Sequence, residues 1–130
     1  MKQQIATEKA PGAIGPYSQA IVTGNLVFVS GQLPIDPATG SFVQGGIKEL
    51  TRQSLTNMAH ILKEAGTDMA HVVKTTVFLA DMDDFAGMNE VYSTFFSQPF
   101  PARSAIAIKT LPKNARVEIE CIAEIASTRD

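Results

Sequence analysis

One residue suited to binding an anion is Arg103, in the segment Phe100-Pro101-Ala102-Arg103-Ser104, where a proline-rich turn meets a predicted strand. A guanidinium group is permanently charged and presents a planar fork of donors that matches a carboxylate. On a rigid strand start it would anchor a small organic acid. A surface ion pair with an aspartate or glutamate is the alternative, and the pattern taken alone favours it.

Two glutamates, Glu118 and Glu120, are separated by one residue in a predicted strand and therefore point to the same side. Paired carboxylates can perform acid–base catalysis, and one that lies on an apolar sheet can have a raised pKa. A solvated strand face, or ion pairs with a neighbouring strand, would give the same pattern. Without further context the sequence favours that second interpretation.

Three more polar residues are candidates for lining a pocket. Ser30 precedes Gly31 at a strand end, but no Gly-x-Ser-x-Gly elbow surrounds it, so hydrogen bonding or a structural role is favoured over nucleophilic attack. Tyr17 ends a loop with two prolines and two glycines, and could cover a pocket or pack the loop. Asn89 lies one residue beyond the apolar stripe of a predicted helix, and could bond inward or face solvent.

The rest of the inventory limits the chemistry. The lone cysteine, Cys121, forms no intramolecular disulfide, fits a reducing compartment and is interpreted as a core residue. A structural zinc ion needs about four nitrogen or sulfur ligands, and this chain has one cysteine plus two histidines, His60 and His71, without ligand spacing. The glycines form no Walker loop and no Gly-x-Gly-x-x-Gly motif. We therefore expect no metal site and no cofactor.

Length and composition indicate a small globular protein. Of 130 residues, 45% are hydrophobic and 18% charged, which suits one core, and we predict a single domain over residues 1–130. The net charge of −2 provides no basic excess and argues against a nucleic-acid binder. The N-terminus has no apolar signal region, and no run approaches the roughly 18 apolar residues of a membrane span. We expect a cytoplasmic protein without a membrane partner.

Hydrophobic periodicity predicts the order β-hairpin, α, β, α, β, β. A Gly24-Asn25 turn joins the hairpin, whose second strand closes at Ser30-Gly31-Gln32; Gly66 ends the first helix, and Asp81 or Asp83 caps the second. The predicted elements are strands 20–23 and 26–30, a loop over 34–46, a helix over 47–65, a strand over 72–79, a helix with the stripe Phe85, Met88, Tyr92 and Phe95, and strands 104–109 and 117–125.

Two amphipathic helices can cover only one face of this sheet. In the last strand Val117, Ile119 and Cys121 share one face, whereas Glu118, Glu120 and Ile122 share the other. The face without helices therefore keeps small and apolar residues. Because such a face is usually an interface, we predict a closed homo-oligomer on this ground alone.

Seven short motifs occur in order between residues 10 and 120, within a likeness that extends from about residue 5 to residue 125. They are Ala10-Pro11-Gly12-Ala13-Ile14-Gly15-Pro16-Tyr17, Ser30-Gly31-Gln32, Val73-Lys74-Thr75-Thr76-Val77, Asp84-Phe85, Pro101-Ala102-Arg103-Ser104, Leu111-Pro112 and Val117-Glu118-Ile119-Glu120. Each is short, but their ordered co-occurrence is specific. In these motifs the chain resembles the Rid (YjgF/YER057c) family, in particular the RidA-type enamine/imine deaminases.

The resemblance implies a chorismate-mutase-like α+β fold, a ferredoxin-like variant in which a mixed β-sheet carries two α-helices on one face. It also implies a homotrimer with a barrel-like β core and active sites in the clefts between subunits. The implied activity is hydrolysis of 2-iminobutanoate, 2-iminopropanoate and their enamine tautomers to 2-oxo acids and ammonia, which prevents metabolite damage. Small imino and 2-oxo acids are the implied partners, without a cofactor.

The resemblance also implies roles for single residues. Arg103 would hold the substrate carboxylate, and Glu118 would orient or activate the attacking water. Ala105 stands where many deaminases have cysteine; it keeps the backbone carbonyl that helps to hold the water and loses any thiol role. Pocket contacts are implied for Tyr17, Ser30, Gly31 and Asn89.

Alternative functions stay open. The same cleft could serve a non-catalytic trimer that binds 2-oxo acids or acts as a chaperone, or a single-strand endoribonuclease that inhibits translation. The near-neutral charge and the lack of a nuclease constellation speak against RNA cleavage. Hydrolysis of an imine is the chemistry that this inventory suits best. An iminium carbon is already electrophilic, and needs only an anion anchor, a carboxylate and a held water.

Overall fold

The structure is a computed structural model of the chain, and it describes residues 1–125. The described part contains eight strands and two α-helices, with short 3-10 turns at Met69–His71, Met82–Asp84 and Pro112–Asn114. The strands are β1 (Gln3–Ile5), β2 (Ala20–Thr23), β3 (Leu26–Gln32), β4 (Ile35–Asp36), β5 (Ser41–Phe42), β6 (Val72–Leu79), β7 (Ala102–Ala107) and β8 (Val117–Glu124). The helices are α1 (Ile47–Glu64) and α2 (Phe85–Phe95).

Six strands form one mixed sheet in the order β1-β2-β3-β8-β6-β7. Neighbouring strands are antiparallel except for β6 and β7, which run parallel and are connected through α2. The short strands β4 and β5 pair with each other outside this sheet. The predicted α+β class, with a mixed sheet and two helices, is confirmed.

Helix α1 begins and ends where local sequence signals predict it. The Glu49 carboxylate accepts a hydrogen bond of 2.9 Å from the Gly46 amide and so satisfies a free donor at the N-terminus. At the other end Gly66 has a φ of +90°, and the Thr67 amide donates to the Leu62 carbonyl at 2.9 Å. This Schellman arrangement ends the helix within one residue of the predicted position.

Helix α2 begins after a 3-10 turn. The Asp81 carboxylate accepts a hydrogen bond of 2.9 Å from the Asp83 amide and caps the turn Met82–Asp84, which leads directly into the helix. Asp81 therefore caps the turn rather than α2 itself, which begins at Phe85. Gly87 lets the helices approach closely, since a Cβ there would lie 2.6 Å from the Ile47 side chain.

The core lies between the helices and one face of the sheet. It contains alternate residues of β8 and the apolar stripes of both helices, including the fully buried Val117, Ile119, Leu55, Met58, Ile61, Leu62 and Met88. Cys121 belongs to this core, as predicted, and burial raises the pKa of its thiol to about 12. A thiol in this environment stays protonated and behaves as a small apolar side chain.

Three features of the strands differ clearly from the sequence predictions. The N-terminal strand β1 was not expected; it is only three residues long and exists through its pairing with β2. The predicted loop over 34–46 contains the β4–β5 hairpin. The strand predicted over 104–109 runs from Ala102 to Ala107, because its pairing with β6 begins at Lys74 opposite Ala102. Arg103 is thus the second residue of β7.

The face of the sheet opposite the helices is open, as the alternation in β8 predicts. Phe28 and Ile106 remain 42% and 44% exposed there, and Ile122 lies directly opposite Phe28 in the neighbouring strand. The predicted homo-oligomer stays a prediction. Within residues 1–125, neither helix has the length and apolar character needed to cross a membrane.

Candidate functional site

The first feature of the site is a bulge in β3. Val29 pairs with Cys121 and Gln32 pairs with Ile119, so two residues, Ser30 and Gly31, face a single residue of β8. Bulges of this kind redirect side chains and are frequent beside active sites. The bulge brings the Gly31 backbone against the side chain of Glu118.

Gly31 and Glu118 are in such close contact that any larger residue at position 31 would displace the Glu118 side chain. A Cβ on residue 31 would lie 2.6 Å from Glu118 Oε2 and 2.8 Å from its carboxyl carbon. Glu118 is half-buried on the open face, between the buried Val117 and Ile119. Burial raises the pKa of the Glu118 carboxyl, and the negative charge of Glu120 raises it further. A carboxylate of raised basicity therefore lies against the bulge.

Glu118 lines a cavity of about 790 Å³. Glu118 and Glu120 point to the same side of β8, as their spacing predicts, and both line this cavity together with Tyr17, Ser30 and Gly31. The Ser30 hydroxyl donates a hydrogen bond of 2.6 Å to the Ser18 carbonyl. It is thereby committed as a donor, which supports the structural role over the nucleophilic one. We call Tyr17, Ser30, Gly31 and Glu118 the glutamate group.

A second cluster surrounds Arg103. Its Nη1 donates a hydrogen bond of 2.7 Å to Asn89 Oδ1, and the guanidinium carbon lies 4.8 Å from the ring centre of Tyr92 and 5.4 Å from that of Phe85. Asn89 is half-buried and bonds toward Arg103. We call Arg103 and Asn89 the arginine group. Cation–π contacts and one amide hold the guanidinium against α2.

The contacts of Arg103 bear on the two alternatives given for it, an anion anchor and a surface ion pair. Among the described residues Arg103 makes no ion pair with a carboxylate; the lysine and arginine ion pairs found there join Lys48 with Glu90 and Arg116 with Asp84. The partner of Arg103 is a neutral amide, and within residues 1–125 no acidic side chain lies close enough to compensate its positive charge. An uncompensated guanidinium beside a shallow hollow, lined by Phe100, Pro101 and Ser93, suits an anionic ligand.

The two groups lie on opposite faces of the sheet. Arg103 pairs with Thr75, which also pairs with the core residue Cys121, whereas Glu118 pairs with Phe78 on the open face. Ala105 of β7 pairs with Val77 of β6 and lies on the same face as Arg103; β6 separates it from β8. One protomer therefore does not bring Arg103 and Glu118 to the same small molecule.

Sequence analysis missed two contributors. Tyr92 was assigned to the core stripe, yet its ring also supports the Arg103 guanidinium, while its hydroxyl bonds Thr75 Oγ1 at 2.7 Å. Burial raises the pKa of Tyr92, which keeps the hydroxyl neutral. Its position three residues after Asn89 on one helix face could have suggested this. Gln19, buried beside the cavity, gave no signal in the sequence.

Comparison with known proteins identifies the family. The profile of the endoribonuclease L-PSP family matches residues 7–125. The chain belongs to this family. The predicted resemblance to Rid proteins is confirmed, since members of the family with about half of their residues identical to this chain carry deaminase names.

Three members of the L-PSP family illustrate the similarity. A RutC family protein of Sinorhizobium fredii is 54% identical over 125 residues, 96% of this chain and 99% of its own length. The human 2-iminobutanoate/2-iminopropanoate deaminase is 50% identical over 123 residues, 95% of this chain and 90% of its own. The crystal structure of Escherichia coli TdcF with bound serine has a TM-score of 0.90 at 40% identity, covering 95% of this chain and 99% of TdcF.

Proposed function

We propose that this chain is a 2-iminobutanoate/2-iminopropanoate deaminase, which hydrolyses reactive imines and enamines to 2-oxo acids and ammonia. The observation that carries the proposal is that the chain has both an Arg103 guanidinium bonded to a neutral amide and a half-buried Glu118 of raised pKa. The name of the human relative and the serine bound in TdcF support it. Serine is similar in size to a small 2-imino acid, and both molecules carry a carboxylate and a nitrogen atom.

The proposed mechanism needs only binding and proton transfer. The free edge of the Arg103 guanidinium holds the substrate carboxylate by paired hydrogen bonds and fixes the orientation of the imine carbon. Glu118 and the Ala105 carbonyl hold one water, and Glu118 accepts its proton as the oxygen attacks that carbon. Glu118 then returns the proton to the nitrogen of the intermediate formed from the protonated imine. As the carbon–nitrogen bond breaks, the new hydroxyl passes its proton to Glu118, which later releases it to solvent, and the products are a 2-oxo acid and ammonia. Tyr17, Ser30, Gly31 and Asn89 line the pocket.

The proposed active site lies between subunits. Because the arginine and glutamate groups occupy opposite faces of the sheet, a complete site requires the arginine group of one protomer and the glutamate group of another. We propose a homotrimer in which the open sheet faces pack into a barrel-like core, each subunit being a single chorismate-mutase-like domain over residues 1–130. The exposed Phe28 and Ile106 on the open face support this packing.

The activity is tested with imine generated in the assay by a threonine dehydratase. The wild-type protein should accelerate the release of 2-oxobutanoate, and Arg103→Ala and Glu118→Gln should each remove most of this acceleration. Unchanged rates in Arg103→Ala would reject the assigned site. Binding of 2-oxobutanoate by calorimetry without turnover of the imine would instead favour the non-catalytic binder.

The location of the site between subunits is tested by mixing two inactive variants. When Arg103→Ala and Glu118→Gln chains are co-expressed, an interface can combine the intact Glu118 of one chain with the intact Arg103 of the other. Random assembly of equal amounts should restore about a quarter of the sites. Recovery of activity near that fraction supports the proposal, whereas no recovery from a confirmed hybrid oligomer argues for a site within one protomer.

RNA cleavage is the second candidate, because the family bears the name endoribonuclease. The net charge of −2 offers little attraction for a phosphate backbone, and imine hydrolysis is the preferred function. Cleavage of single-stranded RNA by highly purified protein, lost in Arg103→Ala, would reverse this preference.

The proposed compartment is the cytoplasm, since a lone cysteine suits a reducing environment.

A further inference from the structure

A buried glutamine joins the N-terminal loop to the sheet. Gln19 is only 4% exposed, and its Nε2 donates to the carbonyls of Pro11 at 2.7 Å, Thr7 at 3.0 Å and Ala10 at 3.3 Å. Its Oε1 accepts a hydrogen bond of 2.7 Å from the Thr7 amide. Both ends of the side-chain amide are therefore used, and all of its partners are backbone atoms of one preceding segment.

The backbone of the same residue holds the β3 bulge. The Gln19 carbonyl accepts a hydrogen bond of 3.0 Å from the Ser30 amide, and the neighbouring Ser18 carbonyl accepts one of 2.6 Å from the Ser30 hydroxyl. The Ser30–Gly31 bulge in turn lies against Glu118. One residue thus connects the N-terminal segment, through the bulge, to the candidate catalytic carboxylate.

The segment that Gln19 holds has little other anchorage. Residues 8–17, here called the 8–17 loop, contain no helix or strand, and Ala10 is the one buried residue among them. Ile14 is 87% exposed and Tyr17 is 53% exposed, yet both line the cavity that contains Glu118. Apolar packing therefore contributes little to the position of this cavity wall, and the Gln19 bonds to the Ala10 and Pro11 carbonyls tie the loop to the residue just before β2.

We propose that Gln19 is a positioning residue for the imine site, which keeps the 8–17 loop, and with it Tyr17, at the correct distance from the bulge and Glu118. The inference rests on the proposed function. Without the amide, three carbonyl groups lose their donor. For part of the time the loop then leaves the position that it has in the structure, here called closed. Substrate then binds only to the closed fraction, so KM rises while turnover of the bound substrate changes little.

The test uses Gln19→Met, which keeps the length of the side chain and removes its hydrogen bonds. It measures the kinetics of imine hydrolysis and the protection of the 8–17 loop from proteolysis. A loop that is closed for about a tenth to a fifth of the time would raise KM by about 5- to 10-fold and change kcat by less than about 2-fold. Trypsin cleavage between Lys9 and the buried Ala10, followed by mass spectrometry, should accelerate by at least the same factor.

Thr67→Val is the matched control. Thr67 Oγ1 donates to the Glu124 carbonyl at 2.6 Å, which also ties a connection to the sheet, but Thr67 does not line the cavity. This variant should lower thermal stability while KM and cleavage after Lys9 stay at wild-type values. A purely structural role for Gln19 predicts that both variants behave in this way, and such a result would overturn the inference.

A second variant covers the case in which Gln19→Met does not fold. Gln19→Glu keeps the acceptor for the Thr7 amide and loses the donors; protonation of the new carboxyl at lower pH restores one donor. The ratio of its KM to the wild-type KM should therefore fall toward one as the pH is lowered. A ratio near one at every pH would overturn the inference about Gln19 but not the proposed function. Absence of imine turnover by the wild type would overturn the proposed function, and the inference with it.

Discussion

At the scale of single residues, the shape of the Arg103 side chain matters as much as its charge. Arg103 uses one donor for Asn89 and lies over the Tyr92 ring, so its orientation is fixed before any ligand binds. Lysine would keep the charge but lose the planar fork and most of the stacking. We expect Arg103→Lys to lower kcat/KM for 2-iminobutanoate by about 100-fold, because paired charge-assisted hydrogen bonds to the carboxylate are lost.

Arg116→Lys is the control for this prediction. Arg116 also makes two hydrogen bonds through its guanidinium, to the Asp84 carboxylate at 2.9 and 3.3 Å, but it lies outside both the cavity and the arginine group. It should keep wild-type kcat/KM. If Arg103→Lys stayed within a few-fold of wild type as well, the guanidinium would not be the carboxylate anchor.

The paired glutamates give a prediction about pH. Burial, and then the charge of Glu120, raise the pKa of Glu118, so the basic form needed to accept a proton from water predominates only at a higher pH than for an unperturbed glutamate. The acid limb of the kcat/KM profile should therefore be shifted upward in pH relative to an unperturbed glutamate. Glu120→Gln removes the like charge, lowers the pKa of Glu118 and should move the limb toward acid. A limb that does not move, or moves toward base, would contradict this electrostatic coupling.

At the scale of secondary structure, local signals and long-range pairing contributed differently. Helix α1 and strand β6 were predicted almost to the residue, because helical periodicity, the Gly66 stop and a β-branched run are all properties of neighbouring residues. The β3 bulge and the early start of β7 were not predictable in this way. Both follow from register with strands that are distant in sequence, β8 for the bulge and β6 for β7.

The bulge gives a prediction at this scale. In Gly31→Ala the new Cβ would meet Glu118 Oε2 at 2.6 Å, so the carboxylate must move away from the bulge. We expect a loss of imine hydrolysis of about 100-fold or more, since small displacements of a catalytic group are costly. Stability should change little, because the displaced atoms are the end of a half-buried side chain.

Gly66→Ala should show the opposite effects, a loss of stability with unchanged activity. At a φ of +90° an alanine is strained, and the end of α1 should lose about 1–2 kcal/mol of stability. Nothing lies near the added Cβ, and the residue does not line the cavity, so kcat/KM should be unchanged. Thermal melting together with the imine assay separates the two variants. Equal loss of activity in both would mean that the Gly31 effect is only destabilisation.

At the scale of the whole molecule, the candidate residues could be named from the sequence but not placed. The face on which Arg103 lies depends on the pairing of β7 with β6, and the face of Glu118 on the pairing of β6 with β8. Period-2 alternation defines two faces for each strand, but it does not tell which faces coincide across three strands. The separation of the two groups, on which the proposed need for a second subunit rests, therefore emerges only from the assembled sheet.

The last prediction tests that necessity. Phe28 lies on the open face and is 42% exposed in the protomer, so Phe28→Glu should fold while placing a charge in the proposed interface. The variant should be monomeric in sedimentation velocity, retain its circular dichroism spectrum and lose imine hydrolysis, because no second protomer supplies Arg103 to Glu118. Met82→Glu is the control, since Met82 is 44% exposed in the turn before α2, away from the open face. It should keep both the oligomer and the activity, and a folded, fully active Phe28→Glu monomer would show that one protomer holds a complete site.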